Sequence, residues 1–242
     1  MDFKRFLLFA FLLFFVGINA QKLENSLLWK VSGNGLKTES YLFGTLHATC
    51  KSELKPKVIR ALNETKQLAL EIDLSDTSLQ LKMAQGMYLG DGKTIEDYID
   101  EEELQTLKAF FKEHIQMMNF EILKRIKPFY VSTLLTSSML PCPMPQAYDM
   151  MLLQNAQARN KTIIGLENIE DQLAIFEEIS IEDQIADLVE MAKDNMKSDQ
   201  QQLEEMIVLY ENEDLNGLAR MLTEDDYFFQ QADLLLYQRN EN

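Results

Sequence analysis

Residues 40–74 constrain the fold more than any other part of the chain. An apolar run containing Gly44 (residues 40–46), an amphipathic helical pattern (residues 56–67) and a second strand-like run (residues 68–74) follow one another there. Strand, helix and strand within about 35 residues predict a βαβ unit, with parallel strands and a right-handed crossover. Residues 27–31 and 40–46 also flank Ser32-Gly33-Asn34-Gly35, a turn signal that predicts an antiparallel hairpin. From residue 76 to 160 the pattern is mostly helical, with Thr94-x-x-Asp97 reading as a capping box ahead of a helix over 101–115. Lys161-Thr-Ile-Ile-Gly165 reads as a short buried-type strand, followed by helix starts at Asn168-x-x-Asp171 and Ser180-x-x-Asp183. Residues 180–242 are helical in pattern and acidic. The expectation is an α/β (α+β) fold: a small mixed sheet with an N-terminal hairpin and a βαβ unit, covered by many helices.

Charge narrows the partners. Lys and Arg total 23 against 39 Asp and Glu, a formal net charge of -16. Such a surface repels phosphate backbones and anionic headgroups, so nucleic-acid binding is excluded as a default. Residues 1–20 have the pattern of a cleaved secretory signal: Lys4 and Arg5, an apolar run over residues 6–16, then Gly17 and the small Ala20. The run falls short of the roughly 20 residues that span a bilayer, so no stable membrane anchor is expected after cleavage. The mature chain, residues 21–242, is expected to be one exported domain, periplasmic or secreted.

Export permits a disulfide between Cys50 and Cys142. A loop of about 90 residues gives a chain-entropy estimate of roughly 4–5 kcal/mol. A metal-ligand or nucleophile role is the alternative, and neither cysteine has a second ligand at zinc spacing, which favours the disulfide. Cys142 lies in Pro141-Cys142-Pro143-Met144-Pro145, a stiff loop that cannot be helical.

Three strand ends carry chemistry. Gly44-Thr-Leu-His47 places one of only two histidines where a strand leaves the sheet, the usual position of ligand sites in open α/β sheets. Gly44 there permits a close approach. In Leu-Ala-Leu-Glu71-Ile-Asp73-Leu the two carboxylates share a face, which is either the wet side of an edge strand or an acid/base or metal cleft. Gly165-Leu-Glu167 ends the third strand, and Glu167 either belongs to the cleft or favours the first turn of the next helix. Together, an imidazole and carboxylates suit a divalent cation such as Mn, Co or Zn. His114, in Phe-Phe-Lys-Glu-His-Ile, reads as a surface or partly packed helix residue.

These residues, with Trp29, Tyr148-Asp149 and Gly165-Leu-Glu167-x4-Gln172, resemble the TraB/PrgY/GumN family, the group that includes the TIKI metalloproteases. The resemblance runs from about Leu27 to Asn240. It implies an α/β fold related to the erythromycin-esterase and ChaN-like proteins, and divalent-metal-dependent hydrolysis of peptides or proteins. It also implies metal binding by His47 and Glu71, catalytic roles for His47, Glu71 and Glu167, and supporting roles for Gly44, Asp73, Gly165, Gln172 and Arg239. Family members continue past the equivalent of Arg239-Asn240 into a strand and a second Gly-x-x-His. The expectation is therefore either a truncated or frame-interrupted product or a degenerate member that has lost a ligand, in both cases short of that C-terminal module and reduced in activity. A non-catalytic exported module that binds a peptide or protein is the alternative.

Overall fold

The computed structural model describes residues 24–224. The signal pattern at residues 1–20, Arg239 and the last acidic stretch lie outside the described residues. Among those described, ten α-helices and four short strands alternate in an α/β fold. Strands β1 (Leu28–Val31) and β2 (Ser40–Phe43) form the expected antiparallel hairpin, with Leu28 opposite Phe43 and Val31 opposite Ser40. Gly33, Asn34 and Gly35 all take positive φ in its turn, so this loop depends on residues that tolerate the left-handed region.

Helix α1 (Pro56–Glu64) begins at proline and ends where Thr65 turns extended and donates its hydroxyl to the Leu62 carbonyl. Strand β3 (Gln67–Ile72) follows at once. Its partner corrects one expectation: β3 pairs in parallel with β4 (Thr162–Glu167), and β2 is not in that sheet. The expected mixed sheet is thus two separate two-stranded sheets, and no βαβ unit joins residues 40–74. The reason lies after Phe43. Gly44 N–H still donates to Leu27, but Leu46 then accepts from Tyr148 N–H and Thr49 pairs with Gln146 in both directions. That route carries the chain to the start of another helix, away from β3. The Cys50–Cys142 disulfide forms, as favoured, and closes the same junction across 92 positions.

Between β3 and β4 run α2 (Leu79–Gly86), α3 (Glu101–His114), α4 (Phe120–Leu123), α5 (Pro128–Ser138) and α6 (Tyr148–Gln157). The Thr94/Asp97 capping box holds a short 3-10 turn, and a second box, Asp100/Glu103, opens α3. After β4 come α7 (Ile169–Glu177), α8 (Ile181–Asp194), α9 (Lys197–Glu211) and α10 (Leu215–Glu224).

Two apolar clusters result. One lies mainly among the helices and centres on Leu107, Phe111, Val131, Leu135 and Leu188, all at 0–1% exposure. The other joins Leu27, Val58, Leu62 and Leu70 to Tyr148, Leu152 and Tyr210. Glu213 ties the C-terminal helices to this second cluster. It accepts from Leu27 N–H at 3.2 Å and from Lys55 Nζ at 2.9 Å, and pairs with Lys57. Burial raises its pKa, but the two lysines and the Leu27 amide outweigh that and hold it down to about 2.

Candidate functional site

The chain leaving β2 passes Gly44, Thr45 and Leu46 to present His47 at the surface, its side chain 75% exposed. Beneath it lies Asp149, in the first turn of α6 and only 8% exposed. His47 Nδ1 is 3.0 Å from Asp149 Oδ2, and Thr45 Oγ1 donates to Asp149 Oδ1 at 3.0 Å. Both carboxylate oxygens are thereby occupied, one by the ring and one by the hydroxyl two residues before it.

The hydrogen bond to Asp149 raises the His47 pKa above its ordinary value. Desolvation opposes this, and the charges of Asp149 and Glu71 add to the rise. Burial pushes Asp149 up, but the hydrogen bond and charge of His47, then the Thr45 hydroxyl, outweigh it and leave it below the usual carboxylate range. A charged carboxylate facing Nδ1 fixes the proton on that nitrogen in the neutral ring. Nε2 is left as an outward lone-pair donor, the arrangement carboxylate–histidine pairs use to orient a base or a metal ligand.

The loop is held on three sides. Tyr210, from α9, donates its hydroxyl to the Gly44 carbonyl at 2.7 Å. Tyr148 packs beside Tyr210 with ring centroids 5.4 Å apart and meets Phe43 edge-on at 6.0 Å. The Thr49–Gln146 bridge and the disulfide close the remaining side. A Cβ on Gly44 would meet Leu27 Cδ2 at 3.5 Å, an ordinary contact, so the close approach expected there is not what its surroundings require. Gly165 is different: a Cβ there would fall 2.6 Å from the Asp73 backbone nitrogen, and only glycine lets β4 lie against that turn.

The carboxylates named from sequence separate in space. Glu71 is exposed on β3, close enough for its charge to raise the His47 pKa, and accepts a hydrogen bond from Gln172 Nε2 at 3.3 Å. Asp73 has left the strand and binds within its own turn, accepting from Ser75 N–H at 2.9 Å and from the Ser75 hydroxyl. Glu167 is in register with Ile72. It therefore shares the face of Leu70 and Ile72, whereas Glu71 points to the opposite face. Among the described residues, no group of three or more His, Cys, Asp or Glu side chains is placed to hold one metal ion.

His114 is a packed helix-end residue, as expected. Its Nε2 meets Asn195 Oδ1 at 2.8 Å and its ring lies 4.8 Å from Phe110. Asp149 is the functional candidate that reading residues for chemistry missed. It entered only as part of Tyr148-Asp149, among the residues that carry the family resemblance, with no role assigned.

A strand-end histidine held by a buried carboxylate in an α/β fold is an arrangement capable of proton or ligand chemistry. Residues 27–242 match the TraB/PrgY/gumN family, and the chain belongs to that family. No curated protein and no solved structure matches it.

Proposed function

We propose that this chain is an exported hydrolase of peptide-like substrates whose acting atom is His47 Nε2. The Thr45–Asp149–His47 arrangement carries the reading. It supplies a fixed tautomer, a buried countercharge and an exposed nitrogen, and a purely structural histidine needs none of these. The disulfide supports export, because such bonds persist in oxidising compartments.

The resemblance of the sequence implies a divalent cation, and with no three donors converging among the described residues it would rest on two of them. His47 Nε2 and Glu71 would hold it. A cation such as Mn, Co or Zn held there would supply Lewis acidity toward a carbonyl oxygen or a water. The other contributions are the chain's own. Asp149 keeps the proton on Nδ1, and Thr45 keeps Asp149 turned toward the ring. Gln172 restrains Glu71, and Tyr210 holds the loop from which His47 projects.

The test is cleavage of a fluorogenic peptide library by the purified protein with added Mn, Co or Zn, against His47→Ala. Cleavage should fall by about a thousandfold or more in the variant, as for loss of a central catalytic group. Circular dichroism should report an unchanged fold, because the ring is exposed. Equal cleavage by the two proteins would remove His47 from the chemistry. No cleavage by either, with peptide binding retained by both, would favour a binding module.

A further inference from the structure

A second feature lies on the helical side of the molecule. Helices α5, α8 and α9 enclose an open cavity of about 370 Å³. Its apolar lining comes from Phe129, Met139, Met191, Leu203 and Met206. Methionine and leucine side chains of this kind adapt to irregular apolar partners. The same cavity is lined by Asp187, Glu190, Asp194 and Asp199, and none of its described lining residues is Lys or Arg. Glu190 is paired at 2.7 Å with Lys193, which is half exposed and free to yield.

Asp194 is held at the start of α9: its Oδ2 accepts from Ser198 N–H at 3.0 Å and from the Ser198 hydroxyl, and the backbone N–H groups of Met196 and Lys197 favour its charge.

We infer that this groove binds a peptide segment that carries bulky apolar side chains among Lys or Arg residues. The apolar walls take the side chains, and the acidic rim selects the charge. A chain of net charge -16 attracts such a segment from a distance and repels an acidic one.

The experiment is fluorescence anisotropy with a labelled synthetic peptide of Lys and Leu, and with its Glu and Leu counterpart. Intact protein and the His47→Ala protein should bind the basic peptide alike and leave the acidic one unbound. Asp187→Lys with Glu190→Lys, both on exposed positions, should weaken binding by about tenfold or more. Glu204→Lys with Glu205→Lys makes the same charge change at exposed positions of α9 outside the groove and should cost less than about threefold. Equal losses in the two double variants would reduce the effect to overall charge and overturn the site. So would absence of binding to the basic peptide. Binding of hexylammonium in place of the peptide would overturn the peptide assignment. Because His47→Ala is expected to bind normally, a failed hydrolase reading remains distinguishable from a failed groove.

Discussion

The two apolar clusters solve different problems. The buried members of the helical one, from Leu107 and Phe111 to Leu188 and Met196, carry only carbon and sulfur side chains, and polar ties such as Gln184 to the Phe176 and Ile179 carbonyls lie around it rather than within it. The strand-side cluster is built around two tyrosines, and the carboxylate of Asp149 lies next to Tyr148 in it. Its loops are held by a disulfide, a two-way backbone bridge and a tyrosine hydroxyl. Side chains that must keep polar atoms in fixed positions need bonds with direction, which hydrophobic burial does not supply. The contrast sets a region held mainly by packing against one held by directional bonds, and single changes can separate the two.

The largest effect is expected at Asp149→Asn. The amide keeps the volume and can still meet Thr45, but it no longer holds a proton on Nδ1. By analogy with other carboxylate–histidine pairs, kcat should fall by about 10²–10⁴-fold. Circular dichroism should report an unchanged fold. If activity survived, Asp149 would be a buried capping acid and the strand-side cluster no more specialised than the helical one.

Phe111→Ala probes the other cluster. Phe111 is 1% exposed and packs against Phe110 and Phe120. Its loss should cost about 3–5 kcal/mol in a denaturant titration. Activity per folded molecule should not change, since no hydrogen bond of the His47 site comes from that cluster. A drop in kcat at full occupancy of the folded state would mean that the two regions are coupled.

How much of this was legible in sequence follows the same division. His47 and the hairpin were visible because a strand end and a Gly-Asn-Gly turn are local signals. Asp149 was not, because its role exists only once residues 102 positions apart are brought together. The β3–β4 pairing was hidden for the same reason. A nearby helix and strand suggested a short crossover, but the actual one passes through five helices before β4 pairs. The separation of Glu71 from Glu167 is a matter of register, and a one-residue alternation is fixed by the pairing rather than by either strand alone.

Replacing Cys50 and Cys142 together by Ser should have an intermediate effect. Loss of the cross-link should lower stability by about 2–4 kcal/mol. The loss should concentrate at the strand side, because the bond closes the junction that carries His47 to Asp149. Hydrogen exchange should therefore rise in residues 44–50 and 142–149 and remain unchanged in α3 and α8. Uniform acceleration across both clusters would show that the disulfide braces the whole fold.

The smallest effect is in pH dependence, where the pair's two consequences have opposite signs. His47 must be neutral at Nε2 to act as base or ligand, so activity should rise with pH through a midpoint above 6.5, because Asp149 raises the pKa of the ring. The same raised pKa gives the folded state a small stabilisation that is fully present below the unfolded value and lost as pH rises through the folded one. Because the ring is mostly exposed, solvent screens this contribution, so only the direction is expected to be measurable. Asp149→Asn should move the activity limb to lower pH and abolish the stability trend. A limb that stayed in place in that variant would assign the titration to another group.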